Sequence, residues 1–400
     1  MRRAALGLRG RRGARVLGAA RAPRSLHVAV VGGGVVGVST ADELLKRGCR
    51  VTLLEATQEV AGVSSATWGN AGTLWKSLRG TTPCEPATLW RTLKLLGRDP
   101  GHEKNVFINN SCLTDAAFYR WALALARCSN PSDYDWPTAH GDAQRYLLER
   151  AVALGAGGLR VAGGEVRSSK GAVLASDASD ALGDSALYTQ ALAEDCKARG
   201  VHVWTNAPAS LTANGLEVDG ACVEADVIVL CAGAASTTLL PFYVPIHPLR
   251  GYSITARVTD AERAPEASFF VHPKHLYCTR LDEERVRFTC YGEFVPLRKT
   301  PPTAALETRL KRLIDYAVPD ASEWSDFVDC EVWHGDRPLT PDGLPLVGKL
   351  APGLYINAGH GFNGWRDAGI TASFVAGLVA GGEDDAPAYV EAWAPGRFNL

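Results

Sequence analysis

The sequence predicts an α/β fold in which pieces of parallel sheet at the start, middle and end of the chain enclose an inserted antiparallel sheet. Two observations carry that expectation. Short, near-continuous apolar runs, LHVAVV (26–31), RVTLL (50–54) and ADVIVL (225–230), read as strands buried on both faces. Between about 245 and 333 the texture changes to short alternating runs separated by turns, GYSITARV, HLYCTRL and RVRFTCYGEF, the pattern of antiparallel strands. No internal repeat is visible, and a chain of 400 residues exceeds the usual size of a single core, so two domains are expected.

The first 25 residues follow different rules. They hold eight arginines and no acid, with Ala and Leu between the charges, which predicts an organelle import peptide and a mitochondrial location, in the matrix or on the inner-membrane face. A basic nucleic-acid arm is the alternative; the interleaved Ala and Leu favour an amphipathic import helix. Arginines interrupt every apolar stretch, which disfavours a secretory signal. Without those eight charges the formal net charge goes from −1 to −9, so nucleic acid is not an expected partner of the remaining chain. Ten cysteines with no C-x-x-C pair read as small buried residues in a reducing compartment. Nine histidines show no zinc spacing, and no metal is expected. The longest uncharged apolar run near the end is too short and too rich in Gly, Ser and Thr to span a bilayer; peripheral membrane contact is left open.

The first element pair is the most informative. Strand 26–31 runs into Gly32, Gly33, Gly34, Val35, Val36 and Gly37, a G-x-G-x-x-G spacing, and then into the amphipathic stretch VSTADELLKRG, closed by Gly48. Gly32 permits a tight turn, Gly34 lets backbone approach a pyrophosphate, and Gly37 allows the helix to lie close to the strand. The helix start supplies free N–H groups and the positive end of a dipole. Glu55 ends the second strand, where a carboxylate can accept ribose hydroxyls. No Lys or Arg lies between Val51 and Trp75, so a 2′-phosphate would meet no partner and NADP is disfavoured. The motif therefore predicts a Rossmann-type dinucleotide turn.

Further along, 85–127 has helical texture, with Leu89, Leu93 and Leu96 and then Phe118, Trp121 and Leu125 at helical spacing. The Gly-rich 155–185 stretch resists assignment. A helix over 186–199, a short strand VHVW, and the buried strand before the CAGAAS turn follow. LETRLKRLIDYA (306–317) places Leu306, Leu310, Leu313 and Ile314 on one helical face. The last segment, GLYINAGHGFNGWRDAGITASFVAGLVAGG, reads as strand, glycine turn and an almost wholly apolar helix.

Three further segments, GVSSATWGNAGTL (62–74), RGYSITARV (250–258), and RPLTPDGLPLVG (337–348) with GHGFNGW (359–365), together resemble the FAD-dependent amine oxidoreductases of the D-amino-acid oxidase superfamily. The likeness is greatest to its D-amino-acid dehydrogenase branch and covers nearly everything after residue 26. The resemblance implies a Rossmann-type FAD-binding domain from three chain segments (26–75, 181–244 and 334–400) and an inserted substrate domain (76–180 and 245–333). It implies FAD held by Ser64, Ser65, Asn70, Ala71 and Gly72 beside the ring and phosphates, Ala232 and Gly233 beside the adenine half, and Gly359, His360, Gly361, Asn363 and Gly364 in the closing loop. No His or Cys occupies an obvious attachment position, so the FAD is expected to be non-covalent. It also implies that Arg337 takes the substrate carboxylate, for which a guanidinium fork is suited, with Tyr277 and Tyr252 as further substrate-binding candidates. An Arg337 paired with a nearby acid such as Asp342 is the alternative.

The resemblance implies oxidative deamination of small amino acids, D-amino acids in first place, by hydride transfer from the α-carbon to the flavin. No general base is assigned, because the protein supplies orientation and field and the cofactor the chemistry. Electrons would leave to a quinone, a carrier flavoprotein or oxygen. A 2-hydroxy-acid or secondary-amine dehydrogenase on the same fold, and a flavoprotein assembly factor for a respiratory complex, are the alternatives. The chain departs from the pattern in a shorter 135–185 region, a trimmed hairpin between Trp204 and Ala225, and Phe362 where glycine oxidases carry an Arg.

Overall fold

The structure, a computed structural model, describes residues 25–74, 106–128, 134–155, 159–161, 165–167, 173–175, 181–266, 268–271, 275–297, 302–381 and 387–399. The expected import helix and the helical spacing at Leu89–Leu96 lie outside the described residues. The main elements in chain order are β1 (His27–Val31), α1 (Val35–Lys46), β2 (Arg50–Leu54), β3 (Val106–Ile108), α2 (Ala116–Arg127), α3 (Trp136–Ala153), α4 (Ser185–Ala198), β4 (His202–Trp204), β5 (Val227–Leu230), β6 (His247–Arg257), β7 (Phe269–Val271), β8 (Leu276–Arg280), β9 (Arg285–Phe294), α5 (Ala304–Ala317), β10 (Trp333–Leu339), β11 (Leu346–Ala351), β12 (Leu354–Ala358) and α6 (Gly364–Ala380).

Strands from the start, middle and end of the chain form one sheet, in the order β11-β12-β5-β1-β2-β4. All its pairings are parallel except β11 against β12. Its strands read as continuous apolar runs because both faces are covered. Val28, Val30, Val51 and Leu53 meet α1 and its neighbours on one side. Ala29, Val31, Leu54, Ile228 and Leu230 meet Leu216, Leu240, Val244 and Ile246 on the other. Helix α1 packs between α4 and α6. It ends at Arg47, and Gly48 takes the left-handed φ of +77° that closes it. The Asp184 carboxylate caps α4 by accepting the N–H groups of Ala186 and Leu187.

The second sheet is antiparallel, in the order β7-β8-β9-β6-β10, with β3 parallel to β9 at one end. Its back face is a core of Tyr252, Ile254, Cys278, Phe288 and Cys290 against Leu310 and Ile314 of α5, Trp324 and Phe327. Helix α2 lays Phe118, Trp121 and Leu125 on Leu249, Phe294 and Leu339. Strand β10 straddles the expected division at 333/334 and belongs to this antiparallel sheet.

Two segments differ from the reading of the sequence. Residues 106–108 form a strand inside the stretch read as helical, because β9 offers an edge there and Phe107 turns into the core. Helix α3 had no assignment; Asp135 caps it through the Thr138 N–H, Pro137 sits in its first turn where no N–H is needed, and Ala143 and Leu147 anchor it.

Candidate active site

The glycine turn has the geometry its spacing implies. Gly32 has φ +112°, its N–H donates to the Leu54 carbonyl at 2.8 Å, and a Cβ there would lie 2.6 Å from the Cys231 carbonyl oxygen. A Cβ on Gly37 would come within 1.8 Å of the Gly32 carbonyl oxygen, so only glycine lets α1 lie this close to the turn. The first helical bond runs from the Val38 N–H to the Gly34 carbonyl, which leaves the amides before it outside the helical ladder. The Val35 amide donates to Thr67 Oγ1 at 3.1 Å. Glu55 accepts from the Gly33 N–H with one oxygen, and from the Thr57 N–H and hydroxyl with the other, each at 2.8 Å. The turn and its acid are thus fixed to one another before any ligand arrives.

From this turn a cavity of about 1690 Å³ runs between the two sheets. Its wall includes Gly32, Gly33, Gly34, Val35, Val36, Glu55, Ser64, Ser65, Asn70, Ala71, Ala232, Gly233, Gly359, His360, Gly361, Asn363 and Gly364, and at the far end Tyr277 and Arg337. Gly37 and Gly72 lie behind the wall. Gly72 has φ +76°, and a Cβ on it would meet the Gly183 carbonyl at 2.8 Å, so it shapes the loop. The closing loop turns at Gly359 (φ +82°) and Gly361 (φ +55°) and enters α6, whose start has no side-chain cap. The His360 imidazole reaches α6, with Nε2 3.0 Å from the Thr371 hydroxyl.

Tyr252 is not part of the site. Its ring is fully buried in the core behind the antiparallel sheet, and its phenol donates to Glu293 at 2.5 Å while accepting the Thr303 N–H. Tyr252 shares the parity of Ile254 and Ala256 along β6, and all three face that core. The bulge here is on the facing strand β9: Arg250 pairs with Glu293 and Tyr252 with Cys290, so Tyr291 and Gly292 together face Gly251.

Arg337 stands at the cavity end and pairs with no carboxylate among the described residues. Its Nη1 donates to the Tyr291 carbonyl at 3.0 Å, and its guanidinium lies 5.2 Å from the Phe362 ring centre. Asp342 pairs with Arg397 instead, at 2.6 Å, and the adjacent Asp336 pairs with Arg250 at 2.8 Å. Burial pulls the Arg337 pKa down, an opposition to its charge that a bound carboxylate would relieve. Burial pushes the Tyr277 phenol up, so it stays protonated and able to donate. The sheet face beneath is polar. Ser253, Thr279 and Thr289 are buried, and their hydroxyls have no hydrogen-bond partner among the described residues. Beside them Arg287, also buried, donates to Thr255 Oγ1 and to the Asn70 carbonyl.

Sequence reasoning did not single out Thr67, Gly251, Tyr291 or Trp333, all but Thr67 on the antiparallel sheet. Trp333 lies flat over Gly69 and Gly335, where a Cβ would come within 2.0 and 2.1 Å of its ring, and its Nε1 donates to the Val63 carbonyl at 2.7 Å. The paired glycines in GN and HGD were the one available signal.

Residues 27–378 match the family model described as FAD dependent oxidoreductase (DAO). The chain belongs to this family. As an FAD-dependent oxidoreductase it is 27% identical to a D-amino acid dehydrogenase of Rhizobium johnstonii, across 90% of this chain and 97% of that protein. It is 32% identical to a D-amino acid dehydrogenase of Vibrio vulnificus over 220 residues, a match spanning about half of each chain (52% and 51%). Among solved structures, glycine oxidase from Geobacillus kaustophilus shares the fold, with a TM-score of 0.62 and 20% identity over 92% of this chain and 98% of that one.

The residues fit the cofactor of the family. The glycine cradle, the acid at the end of β2 and the uncapped start of α6 suit its phosphates, ribose and electron-accepting ring respectively. Of the orphaned hydroxyls, that of Thr289 belongs to a residue lining the cavity, and with Thr255 it gives that wall a polar character.

Proposed function

We propose that this FAD-dependent oxidoreductase oxidises the Cα–N bond of small amino acids, D-amino acids in first place, giving the imino acid, which water converts to keto acid and ammonia. Both dehydrogenase relatives support the choice of substrate class. The observation that carries it is Arg337: a guanidinium on the wall of the same cavity that begins at the glycine turn, paired with no acid among the described residues.

Bound FAD, taken to be non-covalent, supplies the two-electron acceptor for the α-hydrogen. Arg337 holds the substrate carboxylate as a fork, and the protonated phenol of Tyr277, on the wall of the same cavity, is the further donor proposed for that group. Phe362 and Trp333 wall the space around the α-carbon and its side chain. Orientation by Arg337 turns the encounter of α-carbon and acceptor into an intramolecular one. The amine arrives neutral, so its lone pair can form the C=N bond as the hydride leaves, and no side chain has to take a proton in that step. We place the protein in mitochondria on the strength of the eight arginines and missing acids of residues 1–25; a fluorescent fusion of that segment that stays in the cytosol would remove this assignment.

The test is anaerobic mixing of the FAD-loaded protein with D- and L-amino acids, 2-hydroxy acids and secondary amines while flavin absorbance is followed. Bleaching by D-amino acids alone is expected. Bleaching only by hydroxy acids or secondary amines overturns the substrate, and a protein that nothing bleaches overturns the enzymatic reading in favour of a scaffold role.

A further inference from the structure

Arg337 is held by backbone, and the backbone that holds it is strained. Tyr291 has φ +62°, a left-handed conformation uncommon for a bulky residue. It sits in the β6–β9 bulge, with Gly292 opposite the single residue Gly251. Its carbonyl accepts from Arg337 Nη1 at 3.0 Å. On the facing strand, a Cβ on Gly251 would lie 2.3–2.4 Å from Nη2, Cζ and Nη1 of the same guanidinium. The Phe362 ring approaches it as well, with 5.2 Å between Cζ and the ring centre. Without the bulge the Tyr291 carbonyl would be spent on the β6–β9 ladder, and with any other residue at 251 the guanidinium could not lie where it does. Strain of this kind persists where the surroundings impose it, and it gathers at binding sites.

We propose that Tyr291 is a positioning residue acting through its main chain. The left-handed turn aims its carbonyl at Arg337, anchors one nitrogen, presses the guanidinium plane against Gly251, and so presents the remaining N–H edge in one fixed orientation to a substrate carboxylate. The phenol side chain is not the working part; it packs edge-on against Phe107, with ring centres 5.5 Å apart. This rests on the reading of Arg337 given above.

A main-chain role and a side-chain role order the variants oppositely. Glycine at 291 accepts the left-handed φ freely but removes the ring; valine keeps bulk but resists that φ. The experiment is calorimetric titration of FAD-loaded wild type, Tyr291→Gly, Tyr291→Val, Gly251→Ala and Arg337→Ala with propionate, a carboxylate with no amino group to oxidise. Thermal melts of each variant show that it is folded. Tyr291→Gly should bind within about twofold of wild type while melting lower for loss of the Phe107 contact, and Tyr291→Val and Gly251→Ala should each weaken binding about tenfold. With an amino-acid substrate the same two variants should raise KM more than they lower kcat. If Tyr291→Gly weakens propionate as much as Tyr291→Val, the main-chain assignment is overturned. If propionate binds Arg337→Ala as well as wild type, the fault lies with the carboxylate role of Arg337 itself.

Discussion

Two buried polar clusters, one among the helices and one at the cavity end, handle charge in opposite ways. Between α1, α3 and α4, Asp42 accepts Arg150 at 2.9 Å, Lys46 at 2.9 Å and Arg199, while Asp195 bridges Arg150 and Arg199 at 2.7 Å. Burial opposes the Asp42 charge, but these cations outweigh it and hold its pKa below the usual carboxylate value. Its neighbour Cys196 comes within metal-ligand range of Asp42 and Asp195, yet burial pushes its thiol up to about 12, and cations already occupy both acids. At the cavity end the Arg337 guanidinium has, among the described residues, one carbonyl as its hydrogen-bond partner, and the acids on either side in sequence, Asp336 and Asp342, are turned to other arginines. A closed network stabilises a fold; a cation deprived of its counter-charge is poised to take one from a ligand.

The contrast can be broken most forcefully at Arg337. Its replacement by Ala should cost roughly 3 kcal/mol of transition-state stabilisation, about a hundredfold in kcat/KM, with little change in thermal stability. A large loss of melting temperature without loss of kcat/KM would make Arg337 as structural as Asp42. The mirror experiment is Asp42→Asn, which leaves Arg150 and Arg199 to share the single charge of Asp195. Unfolding in denaturant should show a loss of about 3 kcal/mol, with kcat/KM of the folded fraction unchanged. The sign in pH follows from the depressed pKa: the Asp42 contribution is complete above the ordinary 3.8 and is lost as pH falls through the lower folded value.

A smaller effect tests the uncharged counterpart of these clusters. Burial among Phe118, Trp121 and Phe294 lowers the His247 pKa from 6.5 to about 4 despite the pull of the Asp115 and Asp336 carboxylates. The unfolded chain binds the proton first, so this contribution is complete above about 6.5 and is lost as pH drops towards 4. Replacement by Phe should remove about 3 kcal/mol of the change in stability across that window. His360, held to about 4 by burial, keeps part of the slope. The smallest effect sharpens the boundary of the site. Tyr252→Phe should cost about 1 kcal/mol of stability through the lost Glu293 bond and leave KM unchanged. A raised KM would return Tyr252 to the substrate residues.

Period and punctuation made the nucleotide half legible. Buried strands are continuous apolar runs, and glycine has few reasons to recur at a three-residue and two-residue spacing after one. The far end of the site was harder to read. Tyr252 and Tyr277 both sit on strands of alternating texture, where parity alone does not say which layer is the core, and the bulge at Tyr291 leaves no mark in the residue pattern. Nor does Gly251 advertise that a guanidinium lies on it. Helix α3 was hidden by Pro137 and Gly141, both tolerated because one occupies the first turn and the other adds only a modest cost to a helix packed on α6.

The order of strands in the parallel sheet also governs when the protein can form. Its central strand β1 pairs with β2, near in sequence, and with β5, which pairs in turn with β12 close to the other end of the chain. A growing chain can make the β1-α1-β2 unit early, but the wall that α6 and the closing loop contribute leaves the ribosome only after β5 and every strand of the antiparallel sheet. Until then β5 has an open edge and the apolar face of α1 lacks its α6 neighbour. Capture of the cofactor therefore waits on long-range pairing, and the cavity closes only when segments far apart in sequence have met.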